Sequence, residues 1–358
     1  MALSLPSIRN GEATSLRNIA ELTISQFRDA IIAAVEGGER LAALFARPLE
    51  GEKTELFAVL AKAGDGTLSL LRTAVAQAYP ALTPDCPPAH LFEREIAEQQ
   101  GVRPQGHPWL KPVRLAPAHQ PGGDTPQAVS TGASSHATRF FTMRGEEIHE
   151  VAVGPVHAGI IEPGHFRFQC HGELVYHLEI SLGYQHRGIE QSLIGGPAKR
   201  TIYCVETAAG DTSIGHATAY CQALEGLAGA TVPARAEVLR GVALELERLA
   251  NHTGDLGALA GDVGYLPTAS YCGRIRGDFL NLTALLCGSR FGRGMIRPGG
   301  VGFDLDRQRS AELSQRLDMA LRDADAALAL LWNAPSVQAR FEDTGLLSRP
   351  TCAMLGLV

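Results

Sequence analysis

The feature that most limits how this chain can fold is a polar stretch at residues 116–139, APAHQPGGDTPQAVSTGASSHATR. Proline, glycine, serine and threonine dominate it, and its apolar residues follow neither a helical nor a strand period. Such a composition predicts a flexible linker. We therefore expect two domains, at residues 1–115 and 140–358, and the length of 358 residues favours the same number.

Composition and charge exclude several classes of protein. Hydrophobic residues make up 45% of the chain and charged residues 20%, as in ordinary globular proteins. The net charge of −6 arises from 32 basic and 38 acidic residues, so the basic footprint of nucleic-acid binding is missing. The start has no signal-peptide pattern, and no apolar run is long enough to span a bilayer. These features predict a cytoplasmic chain that reaches a membrane only through partners.

The seven cysteines occur singly, and none forms a CxxC pair. An odd number of isolated cysteines without a secretory signal is typical of reduced, structural thiols in the cytosol. Iron–sulfur clusters require several thiolates at short spacing, so we expect no cluster on this chain.

The first domain is predicted to combine a helix with a β-hairpin. Helical spacing precedes Gly37–Gly38. Two segments rich in alternating apolar residues then flank the AGDGT turn at residues 63–67, which is a hairpin signal.

The second domain is predicted to change from strands to helices. Alternation around Cys170–Glu173 indicates a hairpin. Helices are predicted after Pro233, over residues 274–286 and over residues 311–332. In the first of them one apolar stripe is expected from four residues spaced three or four apart, namely Val238, Val242, Leu246 and Leu249.

Several motifs occur in a fixed order along the second domain: GPVHAG from Gly154, RF at Arg167, HGE at His171, LGYQHRGIE from Leu182, ETAAGDTSIGHATAYCQALE from Glu206, LELERLANH from Leu244 and GVGFDLD from Gly300. This ordered set resembles the catalytic large subunit of group 4, energy-converting nickel–iron hydrogenases. That subunit is homologous to the forty-nine-kilodalton, quinone-site subunit of respiratory complex I. Residues 91–114 resemble the signature of the thirty-kilodalton subunit of complex I, and formate hydrogenlyase-type enzymes carry both parts in one chain.

The resemblance implies an α+β fold. A small N-terminal α/β sandwich-like domain of the thirty-kilodalton-subunit type is expected first. An antiparallel β segment then leads into a long-helix bundle, of the type found in the hydrogenase large subunit and in the forty-nine-kilodalton subunit of complex I.

This chain departs from the hydrogenases at the metal ligands. The family pattern places two cysteines in the loop that here runs from Glu206 to His216, and their positions hold Ala209 and Thr212. Alanine cannot coordinate, and a threonine hydroxyl is a poor substitute for the soft thiolates that hold nickel and iron. The family's second cysteine pair lies near the end of the full-length subunit, beyond Val358. We expect the sequence to be a truncated form of a longer domain.

The quinone-site alternative departs from its pattern as well. The related complex I subunit carries an Asp-Tyr pair where this chain has Ala209–Gly210, and that tyrosine is the one expected to hold the quinone head group. The family's histidine in the first β segment corresponds to His157 or His165, and the spacing to Arg167 leaves both open.

The resemblance suggests five site residues. His157, Glu206 and His216 are the candidate catalytic acid/base groups beside the vacated metal position. Tyr184 and His186 are candidates for lining a partner or quinone cavity. Structural roles are the alternatives: a turn histidine at His157, a capping or paired carboxylate at Glu206, and a packed helix histidine at His216.

Two neighbours of these residues have structural interpretations of their own. Asp211 is expected to cap the helix that follows it, because aspartate favours that position. Arg187 is expected to pair with Glu190, three residues further on.

The predicted function is that of an oxidoreductase subunit in a complex I-like or energy-converting-hydrogenase-related assembly. The expected partners are an iron–sulfur small subunit, which resembles the twenty-kilodalton subunit of complex I and carries the cluster, and the membrane subunits of the same complex. No cofactor is expected on this chain itself, with quinone as the alternative ligand. A non-catalytic scaffold subunit and an active nickel–iron hydrogenase are the competing interpretations.

Overall fold

The computed structural model of the protein describes residues 5–49, 53–62, 64–113, 140–157 and 161–357. The predicted linker at residues 116–139 lies outside the described residues. The chain forms two compact units. The first comprises Met1–Val156, Pro163–Tyr184 and Leu347–Val358, and the second comprises His157–Glu162 and Gln185–Leu346.

A mainly antiparallel sheet forms the centre of the first unit, with strand order β1-β5-β4-β3 and β2 parallel to β5. Its strands are β1 (Ser7–Arg9), β2 (Glu21–Leu22), β3 (Arg40–Pro48), β4 (Thr54–Lys62) and β5 (Thr67–Val75). The hairpin predicted around residues 63–67 is confirmed, because β4 and β5 pair from Thr54 opposite Val75 to Lys62 opposite Thr67.

Helix α1 (Ile24–Glu36) packs its apolar face on this sheet. It begins at a capping box, in which Thr23 and Gln26 exchange side-chain and backbone hydrogen bonds. Phe27 and Ile31 are fully buried one helical turn apart, and they belong to the same apolar core as the buried strand residue Leu56. The helix predicted before Gly37–Gly38 is therefore confirmed.

The remaining elements of the first unit are short. They are the 3₁₀ turns Leu16–Asn18 and Pro87–Ala89, β6 (Ala78–Pro80), α2 (His90–Gln100), β7 (Arg103–Gln105), which pairs parallel to β6, and α10 (Arg349–Met354). Glu93 of α2 is buried, and its carboxylate accepts hydrogen bonds from the amides of Leu82 and Thr83 at 2.7 and 2.9 Å. These bonds fix α2 to the segment after β6.

A second antiparallel sheet has the order β10-β9-β8, formed by β8 (Ile148–Val156), β9 (Gly164–His171) and β10 (Leu174–Ser181). His171 pairs with Leu174, which confirms the hairpin predicted at residues 170–173. The sheet belongs to the first unit, so the compact units do not divide at Phe140 as the linker suggested. One physical reason is the ion pair between Lys111 Nζ and Glu179 Oε1 at 2.7 Å, which joins β10 to the segment before the predicted linker. The assignment of residues 1–115 to a domain like the thirty-kilodalton subunit stays a prediction.

The second unit is helical. It contains α3 (Ile189–Ser192), α4 (Thr201–Val205), α5 (Ser213–Ala228), α6 (Ala234–Asp262), α7 (Leu266–Cys287), α8 (Arg307–Trp332) and α9 (Pro335–Phe341), with a small hairpin of β11 (Ile296–Arg297) and β12 (Gly300–Val301). The three predicted helices are present as α6, α7 and α8. Helix α7 begins at Leu266 rather than 274, directly after the turn at Gly264, with Pro267 in its first turn.

The buried face of α6 differs from the predicted stripe. The structure buries Leu239, Ala243, Leu246 and Ala250, whereas Val238 is 65% exposed. Alanine shares the buried face with leucine, and α6 and α7 approach closely: a Cβ atom on Gly257 would lie 3.0 Å from Cβ of Cys272. The prediction followed the bulkier side chains, while the close packing of the helices selects alanine and glycine.

An ion pair in the core of the second unit joins α5, α6 and the β11–β12 hairpin. Arg240 is 1% exposed, and its guanidinium forms a bidentate pair with Glu225 at 2.7 and 3.0 Å. The same guanidinium donates to the carbonyls of Arg297 and Gly300, and Glu225 also accepts from the amide of Gly299 at 2.7 Å. A buried charge pair is stable when its remaining hydrogen-bonding capacity is used in this way.

We predict that Arg240→Ala lowers the free energy of unfolding of the second unit by about 3–5 kcal/mol, because the Glu225 carboxylate stays buried without its cation. A matched Arg240→Met, Glu225→Leu double variant should lose less, since it leaves no buried charge. Denaturant unfolding measures both. A midpoint for Arg240→Ala equal to that of the wild type would contradict the role given to the pair.

The same pair predicts a pH dependence of stability. The hydrogen bonds from Arg240 hold the pKa of Glu225 below its usual value in the folded state. Its contribution is therefore complete above the unfolded-state pKa of about 4.3 and is lost as the pH falls through the lower, folded-state pKa. The Arg240→Ala variant should show a shallower loss of stability in that acidic range.

Candidate functional site

The loop that carries Ala209 and Thr212 connects α4 to α5. Glu206, at its start, accepts one hydrogen bond through its side chain and another through its backbone carbonyl. The Glu206 side chain is 2% exposed, and its Oε1 accepts a hydrogen bond from the amide of Gly294 at 2.7 Å. Its backbone carbonyl accepts from the hydroxyl of Ser213, the first residue of α5, at 2.8 Å. Glu206 therefore attaches the start of this loop to the segment between α7 and β11.

The first turn of α5 is capped from another helix. Glu247 of α6 accepts hydrogen bonds from the amides of Ile214 and Gly215, at 2.7 Å on Oε2 and 3.0 Å on Oε1. A carboxylate at a helix N-terminus satisfies free amides and interacts favourably with the helix dipole. Burial nevertheless raises the pKa of Glu247, the nearby Asp211 charge raises it further, and the two amide bonds oppose this shift.

The prediction that Asp211 caps α5 is wrong. The N-cap residue is Thr212, and no side-chain capping bond comes from it. Asp211 instead accepts from the Arg276 guanidinium of α7 at 2.8 Å, and its carbonyl accepts from the Asn251 amide at 3.0 Å. Because Glu247 already occupies the amides of the first turn, the local capping rule does not apply to Asp211.

Arg187 holds the outer side of the same loop. Its Nη2 donates to the carbonyls of Thr207 and Ala208, at 2.7 and 2.9 Å. Arg187 therefore acts on the backbone of the loop, and its local pairing with Glu190 stays a prediction.

The predicted site residues lie in different environments. Glu206 is buried at the start of the 206–213 loop, whereas His157, His186 and His216 are exposed in the second unit. Tyr184 belongs to the first unit and is 49% exposed. Across the described part of the chain, no hydrogen bond or ion pair joins one of these five residues to another. Their catalytic and cavity-lining roles stay predictions.

His165, the alternative to His157, is buried in β9. Its Nε2 accepts from Arg167 Nε at 3.2 Å, so Nδ1 carries the proton and donates to the carbonyl of Gly154 at 3.2 Å. This histidine is held by two hydrogen bonds inside the first unit, while His157 is exposed in the second.

The residues around the loop do not suit a nickel–iron centre. Ala209 and Thr212 supply no thiolate, and the carboxylates of Glu206, Asp211 and Glu247 all accept bonds from protein donors. Burial raises the pKa of the Cys221 thiol to about 11 and also raises the pKa of Cys287, which keeps both protonated. Within the described ranges, no three His, Cys, Asp or Glu side chains lie close enough together to hold a metal ion.

Sequence reasoning missed Glu247, Arg276 and Gly294, although one signal was available. Glu247 lies three or four residues from Ala243 and Ala250, which are both buried, so it is on the inner side of α6. A glutamate on that face requires hydrogen-bond donors from a neighbouring element.

Comparison with known proteins places the chain in a family context. Residues 262–358 match the family described as the respiratory-chain NADH dehydrogenase 49 kDa subunit. Formate hydrogenlyase subunit 5 of Escherichia coli is 28% identical over 283 residues, which cover 75% of this chain and 49% of that protein. NADH-quinone oxidoreductase subunit 4 of Thermus thermophilus is 32% identical over 211 residues, covering 59% and 52%.

A solved structure shares the fold. It belongs to the membrane-bound sulfane sulfur reductase, an archaeal respiratory membrane complex, with a TM-score of 0.53 and 20% identity over 57% of this chain and 55% of that one. Among the helices in the described ranges, none has the length and apolar character needed to cross a bilayer. The chain spans about half the length of the relatives it matches. Over residues 262–358 it matches the complex I 49 kDa family, and it is homologous to subunits of formate hydrogenlyase, of hydrogenase-4 and of NADH-quinone oxidoreductases.

Proposed function

We propose that this chain is a subunit of a complex I-like or energy-converting-hydrogenase-related oxidoreductase, in which it takes part in electron transfer beside an iron–sulfur partner and has no intact nickel–iron site. The observation that carries the proposal is the loop from Glu206 to Ser213. It lies in one of the ordered motifs that resemble the family, its two cysteine positions hold Ala209 and Thr212, and its conformation is held by side chains of the protein itself.

The proposed division of roles follows from the chemistry available. A cluster on the small subunit, which resembles the twenty-kilodalton subunit of complex I, supplies electrons, and this chain supplies acid/base groups near the acceptor. His216 and His157 are exposed, and an imidazole can both take up and release a proton, so they suit the handling of protons. Quinone is the proposed acceptor, with Tyr184 and His186 as the candidate cavity residues. Membrane subunits of the same complex would attach the chain to the inner face of the membrane.

A scaffold subunit without redox chemistry is the second candidate, and one observation favours it. Glu206, the candidate proton-relay acid, commits a carboxylate oxygen to the amide of Gly294, and Arg187 commits its guanidinium to two loop carbonyls. These hydrogen bonds hold the loop in place, and a subunit that only supports the assembly needs such bonds even if it transfers no protons.

We expect the purified chain to contain no stoichiometric nickel, since alanine and threonine replace the two thiolates of the loop. The chain should be expressed with nickel and with hydrogenase maturation proteins, then assayed by elemental analysis. A formate hydrogenlyase-type large subunit treated in the same way is the positive control. Nickel near one atom per chain would rule out the proposed loss of the site.

Reconstitution with the iron–sulfur subunit separates the two candidates. We predict quinone reduction without hydrogen evolution, and a rate lowered on the order of 10²-fold by His216→Ala, because a positioned proton carrier contributes at least that much. His252→Ala, which removes another exposed histidine of the second unit, is the matched control and should leave the rate unchanged. Equal rates for all three proteins would support the scaffold instead.

A further inference from the structure

Glu247 differs from the other glutamates of α6 in what it contacts. The side chains of Glu237 and Glu245 are 49% and 64% exposed, and each lies beside an arginine of the same helix. Glu247 is half-buried and directs both carboxylate oxygens at two consecutive amides of α5. It is therefore a single ionisable group on which the start of α5, and with it the end of the 206–213 loop, depends.

Glycine at position 215 makes this contact possible. A Cβ atom there would lie 3.3 Å from Glu247 Oε1 and 3.0 Å from Cγ2 of Thr212. Both distances are tighter than ordinary van der Waals contact, so with a larger residue the carboxylate and the threonine methyl would have to shift by a few tenths of an ångström. The close approach of carboxylate and helix is thus built into the sequence.

The surroundings of Glu247 give a proton access to it. A small crevice lined by Glu247, Asp211, Asn251 and Arg290 reaches the carboxylate, and it has room for about one water molecule. The charged groups facing Glu247 are Asp211 from the loop, with Arg276 of α7 bound to it, and the exposed Arg290 after α7. Asp211 disfavours the ionised form, and its pairing with Arg276 moderates that effect.

We propose that Glu247 is a proton-binding group that controls the order of the 206–213 loop: the ionised carboxylate fastens the first turn of α5, and its protonated form releases it. This inference rests on the geometry of the loop and does not depend on the redox role proposed above.

The step is a simple proton transfer. As the pH falls, a hydronium ion of the solvent gives its proton to a carboxylate oxygen of Glu247 and becomes water, and the negative charge of the carboxylate is thereby neutralised. Hydrogen bonds to a charged acceptor are about twice as strong as neutral ones, and the attraction to the α5 dipole is lost at the same time. The upward shift of the Glu247 pKa means that the proton is taken up at a higher pH than by an exposed glutamate.

The raised pKa of Glu247 also affects the stability of the whole fold, and this effect runs opposite to the effect on the loop. Because the folded-state pKa is raised, the folded protein binds this proton more tightly than the unfolded chain. The contribution of Glu247 to the free energy of unfolding therefore falls as the pH rises from the unfolded-state pKa through the folded-state pKa. The loop becomes better ordered over the same range. Local order and global stability should thus change in opposite senses, which a purely structural carboxylate with an ordinary pKa would not produce.

The test is an NMR titration of the full chain, labelled with ¹⁵N-isoleucine, ¹⁵N-glycine and carboxyl-¹³C-glutamate. We expect the amides of Ile214 and Gly215 to shift with the same midpoint as the Glu247 carboxyl carbon, above the ordinary glutamate value of about 4.3. In Glu247→Gln, both amides should stay at their low-pH positions throughout. Glu245→Gln, which alters an exposed glutamate of the same helix, should titrate like the wild type.

Asp211→Asn separates the two carboxylates near these amides and keeps the test valid if Glu247→Gln does not fold. The amide titration should persist in this variant with a lower midpoint, because a neighbouring negative charge has been removed. The proposal is overturned if the amide titration disappears in Asp211→Asn. It is equally overturned if the amides of the wild type do not follow the Glu247 carboxyl, or if that carboxyl titrates at or below the ordinary value.

Discussion

The helical unit depends on the buried pair of Arg240 and Glu225. It is the point at which α5, α6 and the β11–β12 hairpin meet, and the guanidinium and carboxylate use backbone groups of that hairpin to complete their hydrogen bonding. Moving either helix would leave a charge unpaired in the core, which costs several kcal/mol. The end of α5 is therefore fixed against α6, and the start of α5 follows from it.

The loop before α5 is fixed by three further contacts. Glu206 binds the Gly294 amide, Glu247 binds the first turn of α5, and Arg276 binds Asp211. These contacts come from three different elements and surround Ala209 and Thr212. The 206–213 loop keeps its shape through hydrogen bonds within the protein. Alanine at position 209 and threonine at position 212 are therefore compatible with a folded protein.

Local features of the sequence predicted much of the fold. Both hairpins, helix α1 and the three long helices follow from turn residues and apolar periodicity. The inner face of α6 was predicted only in part: Leu246 is buried as expected, whereas Val238 is exposed and Ala243 and Ala250 are buried. The contacts of the site could not be predicted from the sequence, for a different reason. Glu247 and Ile214 are 33 residues apart, and Glu206 and Gly294 are 88 apart, so no local rule connects them. Asp211 satisfied the local capping rule, and the distant Glu247 took its place.

The central claim is that the protein's own side chains, without a metal ion, hold the 206–213 loop and the helices around it. Thermal unfolding of the full chain before and after exhaustive treatment with a chelator tests this directly. A ligand that binds the folded state raises its stability, so removing a structural metal would lower the melting temperature. We predict that chelation changes it by less than the roughly 2–4 °C that corresponds to 1 kcal/mol in a domain of this size. A larger decrease, reversed by adding back nickel or iron, would contradict the account.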